Sequence, residues 1–295
     1  MGEVSHPQIP KKKLQSGFSM LVYGLGTWHM GGKAERDPAN DDQADISAIQ
    51  TALDHGVTHI DTAEIYANGY AEELVGRALN GRERSDLFLA SKVFKTHFTY
   101  DEIIKACKES LKRLSTDYLD LYMLHRFSPD VPLKDSIRAL ETLKDEGLIR
   151  NIGVSNFGVE HLKEAQSYTR HQIVCNQVHY NLEFREPEKA GLLEYCQSND
   201  IMLVAYRPVQ RGVFGTSTPP LLEEMAKKYA KTPTQIAIQW LLSQENVVVI
   251  SKTNREDHLE ENLGAIGWNI DKEDIEKLRQ EYPGQKDVSD SVPLG

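Results

Sequence analysis

Four residues of types that exchange protons with oxygen close or follow short apolar runs in this chain. Asp61 ends VTHID, Tyr66 comes five positions later in HIDTAEIYANG, Lys92 ends LFLASK, and His125 ends LDLYMLH. Each alone has an ordinary structural account: Asp61 as a helix cap, Tyr66 as a packed loop aromatic, Lys92 as a snorkelling surface lysine, His125 as a hydrogen-bonded core histidine. Together they form a proton-transfer set. A free phenol has a pKa of ~10, too high for easy exchange at neutral pH. A lysine ammonium beside it favours the phenolate, and an aspartate paired with that lysine keeps it charged and oriented. A histidine can hold a carbonyl oxygen near the phenol. Such a set can protonate a carbonyl oxygen while hydride reaches the carbon, or run in reverse on an alcohol. No activated serine or cysteine nucleophile, metal cluster or phosphate loop accompanies it, so the hydride would come from a cofactor.

Strand-like runs at residues 21–27, 57–61, 87–92, 119–125, 151–155, 173–177, 201–206 and 247–251 must position these groups. Most are nearly continuous apolar segments, as suits strands covered on both faces. Helical patterns lie between them. Thr99 and Glu102 have capping-box spacing ahead of Ile103, Cys107, Leu111 and Leu114, which recur on one face. Ile137, Leu140 and Leu143 form another stripe, which Gly147 would close. Eight strands alternating with eight helices, mostly about 30 residues apart, predict a (β/α)8 TIM barrel. The rival, a doubly wound sheet, would carry G-x-G-x-x-G after its first strand, and GLGTWHMGG lacks that spacing. Ahead of the first strand, KKLQSGFSML reads as a β-hairpin plugging the barrel bottom, and residues 1–295 read as one domain. A barrel works at the C-terminal ends of its strands. Asp61, Lys92 and His125 stand there on neighbouring strands, followed by Ser155, Asn156 and Gln177 on the next two.

Composition narrows the partners. The chain is 40% hydrophobic and 26% charged, ordinary for a soluble globular protein. Its formal charge of -10 would repel a phosphate backbone, so nucleic acid is not an expected partner. No apolar run approaches the ~18 residues of a membrane span, and the N-terminal lysines precede no hydrophobic segment, so neither membrane nor secretion is expected. Cys107, Cys175 and Cys196 are too few and too scattered for a disulfide framework or a zinc site. They read as buried thiols in a reducing cytoplasm.

GVTHIDTAEIYANGYAEELVGRAL, LASKV, YMLHR, GLIRNIGVSNF and ISKTNREDHLEENL, in this order and spacing, resemble the signatures of the aldo-keto reductases over essentially the full length. The resemblance implies a nicotinamide cofactor bound without a Rossmann fold. It implies Tyr66 as general acid, Lys92 and Asp61 as its tuning pair, and His125 as the orienting group. It further implies that Ser155, Asn156 and Gln177 hold the nicotinamide carboxamide, that Tyr206 stacks on the ring, and that Gly26 and Thr27 line the channel. Arg207, Val209 and Arg211 of YRPVQRG fall in the cofactor site, with Arg207 directed either to the pyrophosphate or to solvent. Lys252, Thr253 and Asn254 precede a helix where a 2′-phosphate would sit, and Glu261 and Asn262 match the adenine contacts. Trp28 walls the substrate pocket.

Three departures bear on specificity. Arg126 stands where the family often has an aromatic; it either favours anionic or polyhydroxylated substrates or pairs with a nearby carboxylate. Arg207 replaces a common serine. His258 stands where an arginine is expected to hold the 2′-phosphate, and an imidazole is mostly neutral above pH 7. The expectation is therefore NADP(H) with NAD(H) also used, a small carbonyl or alcohol substrate, and a monomer. The alternative is a non-catalytic nicotinamide-binding regulatory subunit of the same fold.

Overall fold

The computed structural model describes residues 8–209, 218–282 and 292–294. A two-stranded antiparallel hairpin comes first, β1 (Lys11–Lys13) and β2 (Ser19–Leu21). Eight parallel strands follow: β3 (Tyr23–Gly26), β4 (His59–Asp61), β5 (Phe88–Val93), β6 (Leu121–Leu124), β7 (Ile152–Ser155), β8 (Ile173–His179), β9 (Met202–Tyr206) and β10 (Val247–Ser251). They close in the order β10-β3-β4-β5-β6-β7-β8-β9. Every residue of β3, β4, β6, β7, β8 and β10 is buried, which is why these strands read as apolar runs. The barrel and the basal hairpin are both as expected.

The predicted first run is divided. Leu21 belongs to the hairpin, and Val22 turns the chain by donating its N–H to the Pro10 carbonyl at 2.9 Å, so the barrel strand begins at Tyr23. Strict alternation with eight helices also fails in the second half. Single helices α1 (Asp42–Asp54), α2 (Tyr70–Ala78), α3 (Tyr100–Leu114), α4 (Leu133–Asp145) and α5 (Val159–Ser167) follow the first five barrel strands. Pairs follow the last three: α6 (Glu186–Lys189) and α7 (Leu192–Ser198), α8 (Pro220–Tyr229) and α9 (Pro233–Leu242), α10 (Glu256–Leu263) and α11 (Lys272–Glu281). Gly191, at φ 70°, interrupts the first pair, and Pro233 can begin a helix but not continue one. The predicted stops and starts hold in α3 and α4. Thr99 donates its backbone N–H to Glu102 at 3.2 Å, and Gly147 takes φ 78° just beyond α4.

The apolar residues form an outer layer between helices and strands and a plug within the barrel. The plug joins Leu121, Met123, Met202 and Val248 to Leu14 and Met20 of the hairpin, so the hairpin seals the bottom with side chains worth ~1.5–3 kcal/mol each when buried. Asp200 fastens its turn by accepting from Gln15 N–H and Ser16 N–H, both at 2.7 Å. All three cysteines are buried free thiols, and burial pushes Cys107 and Cys196 up to about 12, which leaves them unreactive.

His59 opens β4 in this basal layer with neither ring nitrogen hydrogen-bonded. Its ring lies edge-on to Phe88 at 5.0 Å, and a Cβ on Gly24 would fall 2.4 Å from its Nδ1, so only glycine fits beside it. Burial pushes its pKa down to about 4. The folded ring therefore stays neutral down to about pH 4, while the unfolded ring takes a proton below its ordinary value of 6.5. This contribution to stability is complete above pH 6.5 and is lost as pH falls through that window, by up to ~3 kcal/mol. Urea unfolding at pH 7 and pH 4.5 should show a steeper loss in wild type than in His59→Leu. Equal losses would mean that the ring protonates without unfolding pressure.

Candidate active site

Register brings the polar strand ends level at the C-terminal mouth. Gly26 of β3 pairs with Asp61, Asp61 with Ala90, and Lys92 with Met123, while across the barrel Ser155 pairs with Gln177 and His179 with Tyr206. Lys92 has no exposed surface. Its Nζ donates to Asp61 Oδ1 at 2.5 Å, to the Thr62 carbonyl at 2.8 Å and to the Tyr66 hydroxyl at 3.4 Å. Asp61 accepts a further bond at Oδ2 from Gln177 Nε2 at 2.8 Å, and its carbonyl accepts from Thr27 N–H and Oγ1. A buried charge pair is tolerated where its remaining donors and acceptors are met in this way.

Tyr66 reaches this pair because the backbone turns sharply behind it. Ala67 (φ 49°), Asn68 (φ 53°) and Gly69 (φ 87°) are three successive left-handed residues, and the Ala67 N–H donates to the Lys33 carbonyl at 2.7 Å. For alanine that conformation costs of order 1–3 kcal/mol, strain of a kind that collects at functional sites. The Tyr66 ring meets Trp28 edge-on at 4.8 Å and His125 at 5.7 Å. Phe94, just after β5, lies 5.8 Å from the His125 ring on its other side. Nothing about Phe94 itself, two residues beyond the lysine of LASKV, marks it in the sequence as part of the site. Thr62, which supplies only its carbonyl, is invisible to any reading of side chains.

The electrostatics differ from expectation in one respect. Burial raises the Tyr66 phenol above its ordinary pKa, and the Lys92 ammonium opposes this without reversing it, because Asp61 offsets its charge. The phenol is therefore protonated at neutral pH, as a proton donor must be. Lys92 pays for its own burial through Asp61 and Tyr66, which hold its pKa above the usual value. Burial, with Lys92 and Arg126 nearby, holds His125 well below its ordinary value, so its ring is neutral. Its buried Nδ1 has no hydrogen-bond partner. A protonated phenol, a neutral imidazole and a compensated ammonium can donate to a carbonyl oxygen without adding net charge to the pocket.

The other half of the mouth is a connected polar network. Ser155 Oγ donates to the Gln177 carbonyl at 2.8 Å; Asn156 Nδ2 donates to Ser155 Oγ at 2.9 Å and to the His125 carbonyl at 3.2 Å; Tyr206 OH donates to Asn156 Oδ1 at 2.8 Å. Asn156 takes φ 58°, a conformation asparagine tolerates better than most residues. Half-buried Tyr206 keeps a ring face against His179, stacked at 5.5 Å. Such a wall of amides, a hydroxyl and an aromatic face fits a flat ring bearing a carboxamide. Arg207 is half-buried at φ 54° and its charge acts on Tyr66 and Tyr206, so it faces the mouth rather than bulk solvent. Val209 is half-buried beside it, and Arg211 lies outside the described residues.

The third group sits apart, at the end of β10. Lys252 and Asn254 are exposed, while Thr253 Oγ1 accepts from Arg255 N–H at 3.2 Å and so shapes the entry to α10. Arg255 is held by Asp257 at the surface, so its charge is not available to a phosphate without breaking that pair. His258 is exposed on the first turn. Glu261 is half-buried, and Asn262 is buried with Nδ2 donated to the Tyr23 hydroxyl at 3.1 Å, a structural bond that an adenine contact would have to share. Arg126 is exposed and makes no ion pair or hydrogen bond among the described residues.

Lys92→Met removes the ammonium and leaves Asp61 buried without its cation. Alcohol oxidation, which needs phenolate as base, should weaken, and the alkaline limb of its pH profile should move upward. Unfolding should be easier by ~3–5 kcal/mol. An unchanged profile in the folded variant would exclude Lys92 from control of the phenol.

The family model described as Aldo/keto reductase family matches residues 23–282. A glyoxal reductase of Bacillus subtilis (strain 168) is 36% identical over 268 residues, covering 90% of this chain and 90% of its own length. Among solved structures, a thermostable aldo-keto reductase in complex with the inhibitor epalrestat is 43% identical with a TM-score of 0.87, over 91% of this chain and 98% of that one. An aldo/keto reductase of Klebsiella pneumoniae in complex with NADP and acetate is 34% identical with a TM-score of 0.82, over 97% of this chain and 100% of that one.

Proposed function

The chain belongs to the aldo/keto reductase family and is an NAD(P)H-dependent oxidoreductase acting on aldehydes or ketones, and from that premise we propose a role for each part of the site. Tyr66 is the general acid, Lys92 and Asp61 fix and tune it, and neutral His125 holds the carbonyl oxygen. The observation that carries this is the single cluster in which Lys92 reaches Asp61 and Tyr66 together, with His125 ring to ring against the phenol. The nicotinamide cofactor, when bound, supplies the hydride. Ser155, Asn156 and Gln177 recognise its carboxamide, Tyr206 offers a stacking face, and Gly26 and Thr27 line the channel with Arg207 and Val209. Trp28 walls the substrate side. Small aldehydes and ketones, sugar-derived ones included, are the substrates this reading favours, supported by the likeness to a glyoxal reductase. We read the protein as one barrel domain and a monomer in the cytoplasm; its buried free thiols support only the reducing compartment.

Tyr66→Phe removes the donated proton and leaves the carboxamide network alone. Carbonyl reduction should fall on the order of 100-fold or more, while cofactor affinity, read by fluorescence titration, barely moves. Near wild-type turnover in this variant would reduce Tyr66 to packing. Negligible turnover by the wild type itself across a carbonyl panel, with tight cofactor binding, would instead favour the non-catalytic alternative.

Cofactor choice follows from the β10 group. NADP bound to the Klebsiella relative supports NADP(H) here, and Lys252 with the N-terminal turn of α10 would receive the 2′-phosphate. The guanidinium that best grips a phosphate is absent at His258, and Arg255 is engaged by Asp257. Both cofactors should therefore work, with NADP(H) moderately preferred. His258→Arg should lower the KM for NADPH selectively. If it alters NADPH and NADH alike, His258 does not face the phosphate.

A further inference from the structure

We infer that this reductase takes carbonyl compounds that also carry a carboxylate, and that Arg126 is the residue that receives that carboxylate. This rests on the reductase reading above and names its substrate class. Arg126 directly follows His125 at the end of β6. In a chain with 44 acidic and 34 basic side chains, it is nevertheless an exposed arginine with no carboxylate partner among the described residues. Among the described residues, no carboxylate of the chain takes the alternative role of pairing with it. Glu64, in the turn after β4, is buried and engaged by the Phe94 N–H at 2.6 Å and by His97 at 3.1 Å.

Position separates Arg126 from the cofactor phosphates. In the closed order of strands, β6 lies four strands from β10 in either direction, so Arg126 and the Lys252–Asn254 group occupy opposite walls of the mouth. It directly follows His125, the group proposed to hold the carbonyl oxygen, and its charge reaches the His125 and Tyr206 rings at the mouth. The aromatic rings on neighbouring stretches of the chain are Phe94, just after β5 and against His125, and Phe127, whose own ring is stacked on His161 at 3.6 Å. A polyhydroxylated substrate offers a guanidinium only neutral hydroxyl oxygens, which accept from it more weakly than a carboxylate does. A guanidinium has five donors and no acceptor, and a carboxylate has acceptors and no donor. An apolar-bodied aldehyde acid matches both the rings and the cation.

The test compares 4-carboxybenzaldehyde with its neutral methyl ester, methyl 4-formylbenzoate, followed by NADPH absorbance in wild type, Arg126→Met and Arg126→Glu. Comparing the acid-to-ester ratio of kcat/KM between variants cancels the intrinsic reactivity of the two aldehydes. The ratio should fall about tenfold or more in Arg126→Met, through KM for the acid, and further in Arg126→Glu; the wild-type ratio should also fall as salt is raised. A ratio unchanged by both variants overturns the inference and leaves the reductase reading intact, as does a wild type that reduces the ester but not the acid. A loss of NADPH affinity in Arg126→Met would assign the arginine to the cofactor and also overturn it. Failure of the wild type to reduce any carbonyl compound would overturn the reductase reading itself.

Discussion

An ammonium with no exposed surface, set inside a parallel barrel, is the constraint on which the rest of this site depends. Taking such a charge out of water costs several kcal/mol even after relaxation, and Lys92 recovers this only through contacts from three directions. Asp61 comes from β4, the Thr62 carbonyl from the turn after it, and the Tyr66 hydroxyl from the strained loop beyond. Gln177, from β8 across the barrel, holds the second oxygen of Asp61. The pair therefore fixes the relative height of β4, β5 and β8, and a slip of register in any of them would leave a buried charge unmatched. Apolar residues of similar size would often be at least as stable here. The charges are better understood through what they do to the phenol.

The strand ends were legible because of the burial that surrounds them. In strands covered on both faces, a lysine after LFLAS or a histidine after LDLYML stands out against an apolar background. The same background gave the barrel. Other features have no such contrast. The left-handed pair Ala67 and Asn68 looks like any loop, yet it turns Tyr66 inward. The paired helices after β8 and β9 follow from Gly191 and Pro233, residues visible in the sequence but ambiguous there between a loop and a break. The commitment of Arg255 to Asp257 is a choice among neighbouring acids that only geometry settles. The net direction of the Tyr66 shift depends on how completely the phenol is buried and how far Asp61 cancels Lys92, and residue types do not contain either quantity.

The two halves of the mouth are prepared differently. On the side of β7, β8 and β9, donors and acceptors bind one another: Tyr206 to Asn156, Asn156 to Ser155, Ser155 to the Gln177 backbone. Groups already ordered in this way lose little further freedom when they exchange a mutual bond for one to a ligand. Toward β6 the pocket has aromatic rings, with an imidazole nitrogen and a guanidinium that have no partner among the described residues. The first surface suits one fixed ring with an amide; the second selects among substrates by shape and charge.

Burial acts on Tyr66 and His125 in opposite directions on the pKa scale and with one chemical result. It raises an acid that would become negative and lowers a base that would become positive, so both rings stay neutral at pH 7. The remaining ions nearest the phenol, Lys92 and Asp61, cancel at contact distance. On the proposed reading, a ground-state carbonyl thus meets two neutral rings and a compensated ion pair. When hydride reaches the carbon and negative charge grows on that oxygen, the phenol proton can move to it. The phenolate left behind is the anion that Lys92 is already placed to meet. With Tyr66 and Lys92 in the roles proposed above, the ammonium would interact more strongly with the transition state than with the bound substrate, which is the form of binding that accelerates a reaction rather than merely tightening it.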